Sequence, residues 1–286
     1  MPAETHPGVP QLRRAEFEQI RGLVRRHLGI ELRPGKEQFV AARLLKVLRA
    51  KGFDSFHQYC RYVSGDKSGR ALSSMADALT TNHTSLFREP AHFNFLRRWF
   101  ATELRRNRIA RIWSAGCATG EEPYSIACCA IDELGAEVAG RYVNILATDI
   151  STRALQTAAR GVYPAARFGE LSADWLSRHL LRGTGRWAGC YQFRPEIRTL
   201  IRFGQVNLVR ALPNLGSFSI IFCRNVLIYF DRPTQERAIN DLANRLEPGG
   251  LLFIGHSEGL SGFDHPLAYV CPAVYQKRSQ PGAGRQ

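Results

Sequence analysis

The chain has 286 residues, a length that suits one α/β domain of about 200 residues and a smaller module. Its hydrophobic fraction of 44% is typical of a globular protein. No apolar run approaches the roughly 18 residues that a membrane span needs, and the N-terminal segment MPAETHPGVP lacks the charged-then-apolar order of a secretory signal. The net charge of +14 is typical of proteins that bind nucleic acid, anionic membranes or acidic proteins, unless it reflects a solvated basic surface.

The seven cysteines favour a reducing compartment. They form no C-x-x-C pair, their number is odd, and several lie in apolar runs. We therefore expect buried reduced thiols, rather than a disulfide framework or a zinc site, in a cytoplasmic protein.

The first part of the chain, up to residue 80, has the periodicity of α-helices. Four segments carry it: 16–28, 38–51, 53–63 and 71–79. On the second segment the apolar side chains share one face: Val40, Leu44, Val47 and Leu48. Three cations fan across the opposite face: Arg43, Lys46 and Arg49. Because residues 1–80 hold 14 Lys and Arg against 8 Asp and Glu, we predict a basic, all-helical domain over 1–80.

Beyond residue 80, apolar strand-like runs alternate with helical segments, which predicts an open parallel sheet covered on both faces. The predicted strands are 109–115, 143–148, 200–203, 220–223 and 251–254, with 269–275 as a final edge strand. The predicted helices are 121–134, 152–159, 172–181 and 234–246, the last of which starts at Pro233 and is stopped by EPGG at 247–250.

Three other segments complete the predicted organisation. Residues 81–108 link the helical domain to a sheet domain over 109–276. A stretch at about 183–203, which begins GTGRWAGCYQF, fits neither a helix nor a buried strand and indicates an inserted β-hairpin. The tail 277–286 has the composition of a disordered segment.

A turn between a predicted strand and helix carries the first functional signal. The stretch WSAGCATGEEPYSIA at 113–127 has the glycine spacing of a turn that binds phosphate at a helix N-terminus. Here Glu121 and Glu122 would repel a phosphate, and Asp149 ends the next strand, where an acid can bind both ribose hydroxyls. A cationic nucleoside without phosphate fits, and S-adenosylmethionine is such a molecule. Alternatively, the glutamates only favour the helix dipole and Asp149 is a helix N-cap.

Four further motifs accompany this turn: TTNHTSLFREP at 80–90, FGQVNL at 203–208, IIFCRNVLIYFD at 220–231 and LLFIGHSEGL at 251–260. Together with SAGCATGEEPYS, they strongly resemble the chemotaxis receptor methyltransferases, the CheR family, over residues 12 to 276. The resemblance implies an α/β, Rossmann-like S-adenosylmethionine-dependent methyltransferase sheet with a small all-helical N-terminal domain and an inserted antiparallel β-subdomain. It also implies methyl transfer to glutamate side chains of chemoreceptors for sensory adaptation, with S-adenosylhomocysteine as product.

The resemblance assigns roles to individual residues. It implies that Tyr229 lies near the transferred methyl group and that Arg88 pairs with the methionyl carboxylate, for which a guanidinium fork is suited; both are implied catalytic residues. The implied cofactor-binding residues are Asn82, Thr84, Arg88, Glu122, Asp149, Asn207, Leu208, Arg224 and Asn225. For His256, Ser257 and Glu258 we predict a structural role, because they follow a strand taken to be at the last edge of the sheet.

The resemblance also implies partners. The acidic methylation helices of chemoreceptors would meet the basic helix, with Arg43, Lys46 and Arg49 as substrate-binding residues. The β-subdomain would capture a C-terminal receptor peptide by strand addition, although Trp187 departs from the pattern expected there. We expect a monomer with no metal, no nucleic acid and no direct membrane insertion.

Two other classes of function compete with this interpretation. A nucleic-acid methyltransferase would explain the net charge, but CRNVLIYFD contains neither an Asn/Asp-Pro-Pro-aromatic motif nor a cysteine-nucleophile motif. A non-enzymatic module that senses S-adenosylmethionine would leave Tyr229 and the basic helix without a purpose. A methyl-transfer assay with receptor fragments and DNA separates the three.

Overall fold

The computed structural model describes residues 10–80, 84–103 and 109–278. Two compact units are present: one comprises Met1–Thr81 and Tyr229–Asp231, the other Asn82–Ile228 and Arg232–Gln286. Asn82, a predicted cofactor ligand, and residues 279–286 of the predicted tail lie outside the described residues. Among the described helices, none combines the length and apolar character that a membrane span requires.

The described residues of the first unit form four α-helices: α1 (Arg14–Leu28), α2 (Glu37–Lys51), α3 (Phe56–Gly65) and α4 (Arg70–Leu79). Gly29 and Gly52 end α1 and α2 in the left-handed conformation, with φ of 66° and 71°. The third helix starts later than predicted because the Ser55 hydroxyl caps it, accepting a hydrogen bond from the Gln58 N–H at 3.2 Å.

The basic face of α2 differs in part from its prediction. Lys46 and Arg49 are exposed, but Arg43 is half-buried. Its guanidinium donates to the Thr80 carbonyl at 3.4 Å and lies 5.1 Å from the centre of the Phe39 ring. Arg43 therefore serves the packing of its own unit, and the two other cations form the exposed part of this face.

The described residues of the second unit form ten strands. They are β1 (Ala110–Ala115), β2 (Val143–Asp149), β3 (Val162–Pro164), β4 (Leu180–Arg182), β5 (Cys190–Phe193), β6 (Ile201–Gln205), β7 (Phe218–Cys223), β8 (Leu246–Ile254), β9 (Leu267–Cys271) and β10 (Val274–Lys277). Seven form one sheet in the order β6-β2-β1-β7-β8-β10-β9. The first five are parallel, β10 pairs antiparallel with β8, and β9 pairs antiparallel with β10. The chain order reverses between β1 and β7, which is where open α/β sheets bind ligands.

In the part of this unit that the structure describes, seven α-helices accompany the strands: α5 (Pro90–Glu103), α6 (Glu121–Leu134), α7 (Ala136–Tyr142), α8 (Thr152–Arg160), α9 (Ala173–His179), α10 (Pro195–Arg198) and α11 (Arg232–Arg245). The core is aromatic and aliphatic: the rings of Phe222 on β7 and Phe253 on β8 stack at 4.4 Å. Helix α6 is buried along most of its length, which explains its apolar sequence around Cys128 and Cys129. Helix α5 falls in the segment predicted as a linker.

The inserted subdomain is larger than the predicted hairpin. Strands β3, β5 and β4 form a separate antiparallel sheet, in that order, which begins at Val162 rather than near residue 183. The end of the predicted range, from Ile201, belongs to the main sheet as β6. The reason is that β3 is too short to give a periodic signal and pairs only with residues distant in sequence.

Two predictions at the end of the sheet were wrong. The run predicted as one edge strand forms β9 and β10, which turn at Ala273 with φ of 62°. Strand β8 is not at an edge, because it lies between β7 and β10. The EPGG segment lies within β8, where the register with β7 shifts, so the helix runs directly into the strand.

Candidate active site

The carboxyl ends of the parallel strands bring five predicted site residues to one edge of the sheet. Strand β1 and strand β2 end at the same level, because the N–H groups of Gly116 and Cys117 both donate to the Thr148 carbonyl, at 2.7 and 2.9 Å. Asp149 is the last residue of β2, and Glu122 lies in the first turn of α6, directly after the turn that follows β1. Asn207 follows β6, and Arg224 and Asn225 follow β7. They all belong to the second unit.

The glycines of the turn after β1 are required by close packing. Gly116 and Gly120 have φ of 89° and 102°. A Cβ at Gly116 would collide with the Val226 side chain, and one at Gly120 would lie 2.7 Å from the Ala158 Cβ. The glycines therefore let the loop after β7 and helix α8 approach this turn, in addition to supplying positive φ.

Asp149 is fixed at the end of β2 by two backbone hydrogen bonds. Its Oδ2 accepts from the Ala118 N–H and its Oδ1 from the Ser151 N–H, both at 2.8 Å. The N-cap of α8 is Ser151, whose hydroxyl accepts from the Ala154 N–H at 3.0 Å. The alternative reading of Asp149 as a helix N-cap was therefore wrong, and the carboxylate joins the glycine turn to β2.

The Glu121 carboxylate is bound by side chains that lie outside helix α6. It is 2% exposed, and its carboxylate accepts from the Thr119 hydroxyl at 2.6 Å and pairs with Arg167 at 3.2 Å. Arg167 also donates to the Thr84 carbonyl at 3.3 Å. The first glutamate of the turn therefore connects α6 with the segment that precedes α5.

Glu122 contacts the ends of β1 and β7 instead. Its Oε1 accepts from the Ser114 hydroxyl at 2.7 Å, and its Oε2 pairs with the Arg224 Nη1 at 3.0 Å. Burial raises the pKa of Glu122, against the opposing effects of Arg224 and the Ser114 hydroxyl. A cation beside this carboxylate would be stabilised.

The buried side chain of Arg224 contacts three segments of the chain. Its side chain is 2% exposed, and its Nη2 lies 3.0 Å from the Glu89 Oε2 and donates to the Arg88 carbonyl. Its guanidinium also lies 5.6 Å from the centre of the Phe93 ring. Together with the pair to Glu122, these contacts make Arg224 an organiser of the site; a direct contact with cofactor stays a prediction.

Glu89 is a site residue that the sequence analysis missed. Burial opposes its ionisation, but the charge and hydrogen bond of Arg224 outweigh it and lower the pKa of Glu89. In the sequence, Glu89 could be noticed only by its position, since it lies between the predicted cofactor ligand Arg88 and Pro90, where helix α5 begins. Its partner Arg224 is distant in sequence, so only the fold reveals the pair.

The segment before α5 adopts an uncommon backbone conformation. Phe87 and Glu89 have φ of 52° and 61°, and such strain in non-glycine residues clusters at functional sites. The Phe87 N–H donates to the Ser125 hydroxyl on α6 at 2.9 Å. Thr84 and Arg88, both half-buried, are thereby held beside the first turns of α6.

Asn207 and Leu208 follow β6 in a tight turn. The Asn207 side-chain carbonyl accepts from the Val209 N–H at 3.0 Å, and Leu208 is buried. The Val206 N–H donates to the Asp149 carbonyl at 3.3 Å, so this turn is adjacent to the end of β2. The predicted adenine contacts of both residues stay predictions.

Tyr229 belongs to the helical unit together with the next two residues. Its carbonyl accepts from the Glu31 N–H at 2.8 Å, and Asp231 pairs with Arg25 on α1 at 2.9 Å. Its backbone is therefore held by residues 25–31, and its side chain is half-buried. The predicted position beside the methyl group stays a prediction.

Three potential metal ligands meet next to Arg224. Donor atoms of Glu89, His92 and His256 lie within 4.8 Å of one another. The Glu89 Oε2 that faces the two histidines at 3.4 and 3.9 Å also faces Arg224 at 3.0 Å. Burial, together with the charge of Arg224, lowers the pKa of His92 to about 4. Arg224 therefore supplies the positive charge beside the shared oxygen, and His92, whose pKa is lowered, lies next to this ion pair as a neutral ring at neutral pH.

The donor set at the strand ends fits S-adenosylmethionine. Buried carboxylates of Glu122 and Asp149 suit the ammonium, the sulfonium and the ribose hydroxyls of this molecule, whereas a phosphate group would meet like charge. The Ala118 N–H, which would cradle phosphate in a phosphate-binding turn, donates to Asp149 instead.

The chain matches known protein families and individual proteins over most of its length. Residues 15–80 match the family model described as "CheR methyltransferase, all-alpha domain", and residues 82–273 match "CheR methyltransferase, SAM binding domain". The chain is 41% identical to chemotaxis protein methyltransferase 2 of Pseudomonas aeruginosa, with 92% of each chain covered. It is 40% identical to the chemotaxis protein methyltransferase of Salmonella typhimurium (91% of this chain and 89% of that one) and 36% identical to that of Escherichia coli (91% and 90%). The chain therefore belongs to the CheR family, and it is an S-adenosylmethionine-dependent methyltransferase of chemotaxis.

Proposed function

We propose that this enzyme methylates glutamate side chains of chemoreceptors, giving glutamate methyl esters and S-adenosylhomocysteine. The observation that carries the proposal is the similarity of the chain, over nine-tenths of its length, to chemotaxis protein methyltransferases. The buried carboxylates Glu122 and Asp149, held at the strand ends by hydrogen bonds to the protein, suit the cofactor of that reaction. S-adenosylmethionine supplies an electrophilic methyl group on a sulfonium. Because a glutamate has an ordinary pKa of about 4.3, the attacking carboxylate is ionised at neutral pH and needs no general base.

The chain contributes mainly alignment. In this proposal Asp149 holds the ribose, Arg88 pairs with the methionyl carboxylate, Asn207 and Leu208 bind the adenine edge, and Tyr229 borders the incoming glutamate. The remaining pocket residues are Asn82, Thr84, Glu122, Arg224 and Asn225. Correct alignment of the reacting groups is worth up to about 7–11 kcal/mol, which leaves little for acid–base catalysis to supply.

Two surfaces are proposed to meet the receptor. Lys46 and Arg49 on α2, with Arg43 beside them, face the acidic helices of its cytoplasmic part. The outer edge of β4 takes up a receptor peptide by strand addition, next to the half-exposed Trp187. In this proposal the enzyme acts in the cytoplasm as a monomer.

The test is transfer of labelled methyl groups from S-adenosylmethionine to purified cytoplasmic fragments of chemoreceptors. We expect label that alkali releases as methanol, since the product is an ester, and no label on a fragment whose accepting glutamates are replaced by glutamine. Alkali-stable label on protein, label on DNA, or binding without transfer would each contradict the proposal and favour one of the competing functions.

A further inference from the structure

The motif GHSE at 255–258 forms a turn directly after β8. The Glu258 N–H donates to the Gly255 carbonyl at 2.9 Å and closes the turn. The Glu258 carboxylate therefore folds back over the start of the motif, where its Oε2 accepts from the Gly255 N–H at 2.6 Å.

The same carboxylate binds the loop after the neighbouring strand. Its Oε2 also accepts from the Asn225 N–H at 2.8 Å, and its Oε1 accepts from the Ile228 N–H at 3.2 Å. The two loops meet because β7 and β8 are parallel and end in register, with Cys223 opposite Ile254. One side chain thus accepts three backbone N–H groups from two loops.

These hydrogen bonds support an uncommon backbone conformation at Asn225. Its φ is 59°, in the left-handed region that few non-glycine residues adopt and in which asparagine is enriched. The loop is also packed too closely for a side chain at residue 255: a Cβ on Gly255 would lie 2.5 Å from the Asn225 Nδ2 and 2.9 Å from the Glu258 Oε2. The backbone and side chain of Asn225 are therefore both held by the GHSE turn.

We propose that Glu258 is a positioning residue for cofactor binding, which acts by holding Asn225 in its left-handed conformation. This inference rests on the proposed cofactor contact of Asn225. A glutamine at this position has one acceptor oxygen for three backbone N–H groups and no negative charge, so at least one N–H would lose its acceptor, and Asn225 would relax and withdraw its amide from the site. Glu258 itself needs no contact with cofactor or substrate.

The first experiment compares Glu258→Gln with Glu247→Gln. Both glutamates are half-buried: Glu258 follows β8, and Glu247 lies near the beginning of this strand. The Glu247 carboxylate accepts a hydrogen bond from the Ser219 hydroxyl at 3.2 Å. We expect the dissociation constant of S-adenosylhomocysteine, measured by calorimetry well below the melting temperature, to rise about tenfold or more in Glu258→Gln. Glu247→Gln keeps the wild-type affinity. Unchanged affinity in Glu258→Gln would overturn the proposal, whatever its effect on melting temperature.

A double-mutant cycle tests whether Glu258 acts through Asn225. If it does, Glu258→Gln weakens binding little further once Asn225→Ala is present; fully additive effects would overturn the mechanism. Gly255→Ala leaves the side chains of Asn225 and Glu258 intact and should also weaken binding, because its Cβ would collide with both. This variant tests the proposal if Glu258→Gln does not fold. Wild-type affinity in Asn225→Ala would overturn the cofactor contact and this inference together, whereas the receptor methylation assay tests the proposed reaction separately.

Discussion

At the scale of single residues, the buried charges of the site are unequal in number. Arg224 faces two carboxylates, those of Glu89 and Glu122. The pKa of Glu89 is lowered, because the charge and hydrogen bond of Arg224 outweigh the effect of burial. The pKa of Glu122 is raised, because there the effect of burial outweighs that of Arg224. Glu122 is therefore the carboxylate whose charge a cationic ligand would stabilise most.

This asymmetry predicts a pH dependence of cofactor affinity. Because bound S-adenosylmethionine favours ionised Glu122, its binding lowers the pKa of this group and releases a proton wherever the free enzyme holds Glu122 protonated. Affinity should therefore fall as the pH decreases through the raised pKa of the free enzyme. Calorimetry between pH 8 and pH 5 measures the effect. A Glu122→Gln variant that keeps the full pH dependence would show that another group is responsible.

Asp149 provides a second prediction at this scale. Replacing it with asparagine should weaken S-adenosylhomocysteine binding by roughly 1.5–3 kcal/mol, because charge-assisted hydrogen bonds to the ribose are lost. Calorimetry is the measurement. The matched control is Asp174→Asn, whose side chain is 75% exposed on α9. Equal affinities of the two variants would remove Asp149 from the cofactor site.

At the scale of elements, one carboxylate joins α5, α6 and α9. Asp132 accepts from Arg97 at 3.2 Å and from Arg178 and His179, both at 2.9 Å. Helix α9 leads directly into β4, so this cluster anchors the base of the small antiparallel sheet. Burial opposes ionisation of Asp132, but the hydrogen bond and charge of His179, with those of Arg97, lower its pKa.

The lowered pKa sets the sign of an acid effect on stability. Asp132 binds its proton less readily in the folded state, so its contribution to stability is complete above the ordinary pKa of 3.8 and is lost as the pH falls through the lower folded value. Asp132→Asn should therefore cost about 1.5–3 kcal/mol of unfolding free energy at pH 7 and less near pH 3. Urea titrations at both pH values measure it. A cost that does not shrink in acid would contradict the linkage.

The basic face of α2 gives the other prediction at this scale. Lys46 and Arg49 are exposed, and each exposed ion pair is worth only about 0.2–1 kcal/mol and is screened by salt. Their reversal in Lys46→Glu, Arg49→Glu should raise the KM for receptor and flatten its salt dependence, mainly through slower encounter. Arg43 is left in place because it packs against Phe39.

The control for this charge reversal is cofactor affinity, which should be unchanged because both substituted side chains are exposed on α2 and neither is a predicted cofactor ligand. Methylation of receptor with wild-type KM and salt slope would identify the face as a solvated surface only.

At the scale of the whole molecule, ligand binding must add to stability by mass action. S-adenosylhomocysteine at 100 times its dissociation constant should raise the unfolding free energy by about 2.7 kcal/mol. ATP carries the same adenosine with phosphates, which Glu122 and Asp149 repel, so the same concentration should add little. Thermal unfolding with each ligand measures this. Equal stabilisation by ATP would contradict the phosphate-excluding interpretation of the glycine turn.

Local sequence determined the elements whose signals lie within one segment. Periodicity suffices to predict four N-terminal helices, and glycine spacing with two acids predicts the turn before α6, which does begin at Glu121. A carboxylate that ends a strand is likewise visible in sequence, because the carboxyl ends of parallel strands meet at one edge.

Tertiary structure decided everything that depends on pairing between distant residues. The pair of Glu89 with Arg224, the membership of β3 in the small sheet and the inner position of β8 each join segments far apart in the chain. The role of Glu258 belongs to the same class: its carboxylate finds the Asn225 N–H only because β7 and β8 are neighbours. Periodicity reports which face of an element is buried, whereas the partner that buries it is chosen by the packing of the whole chain.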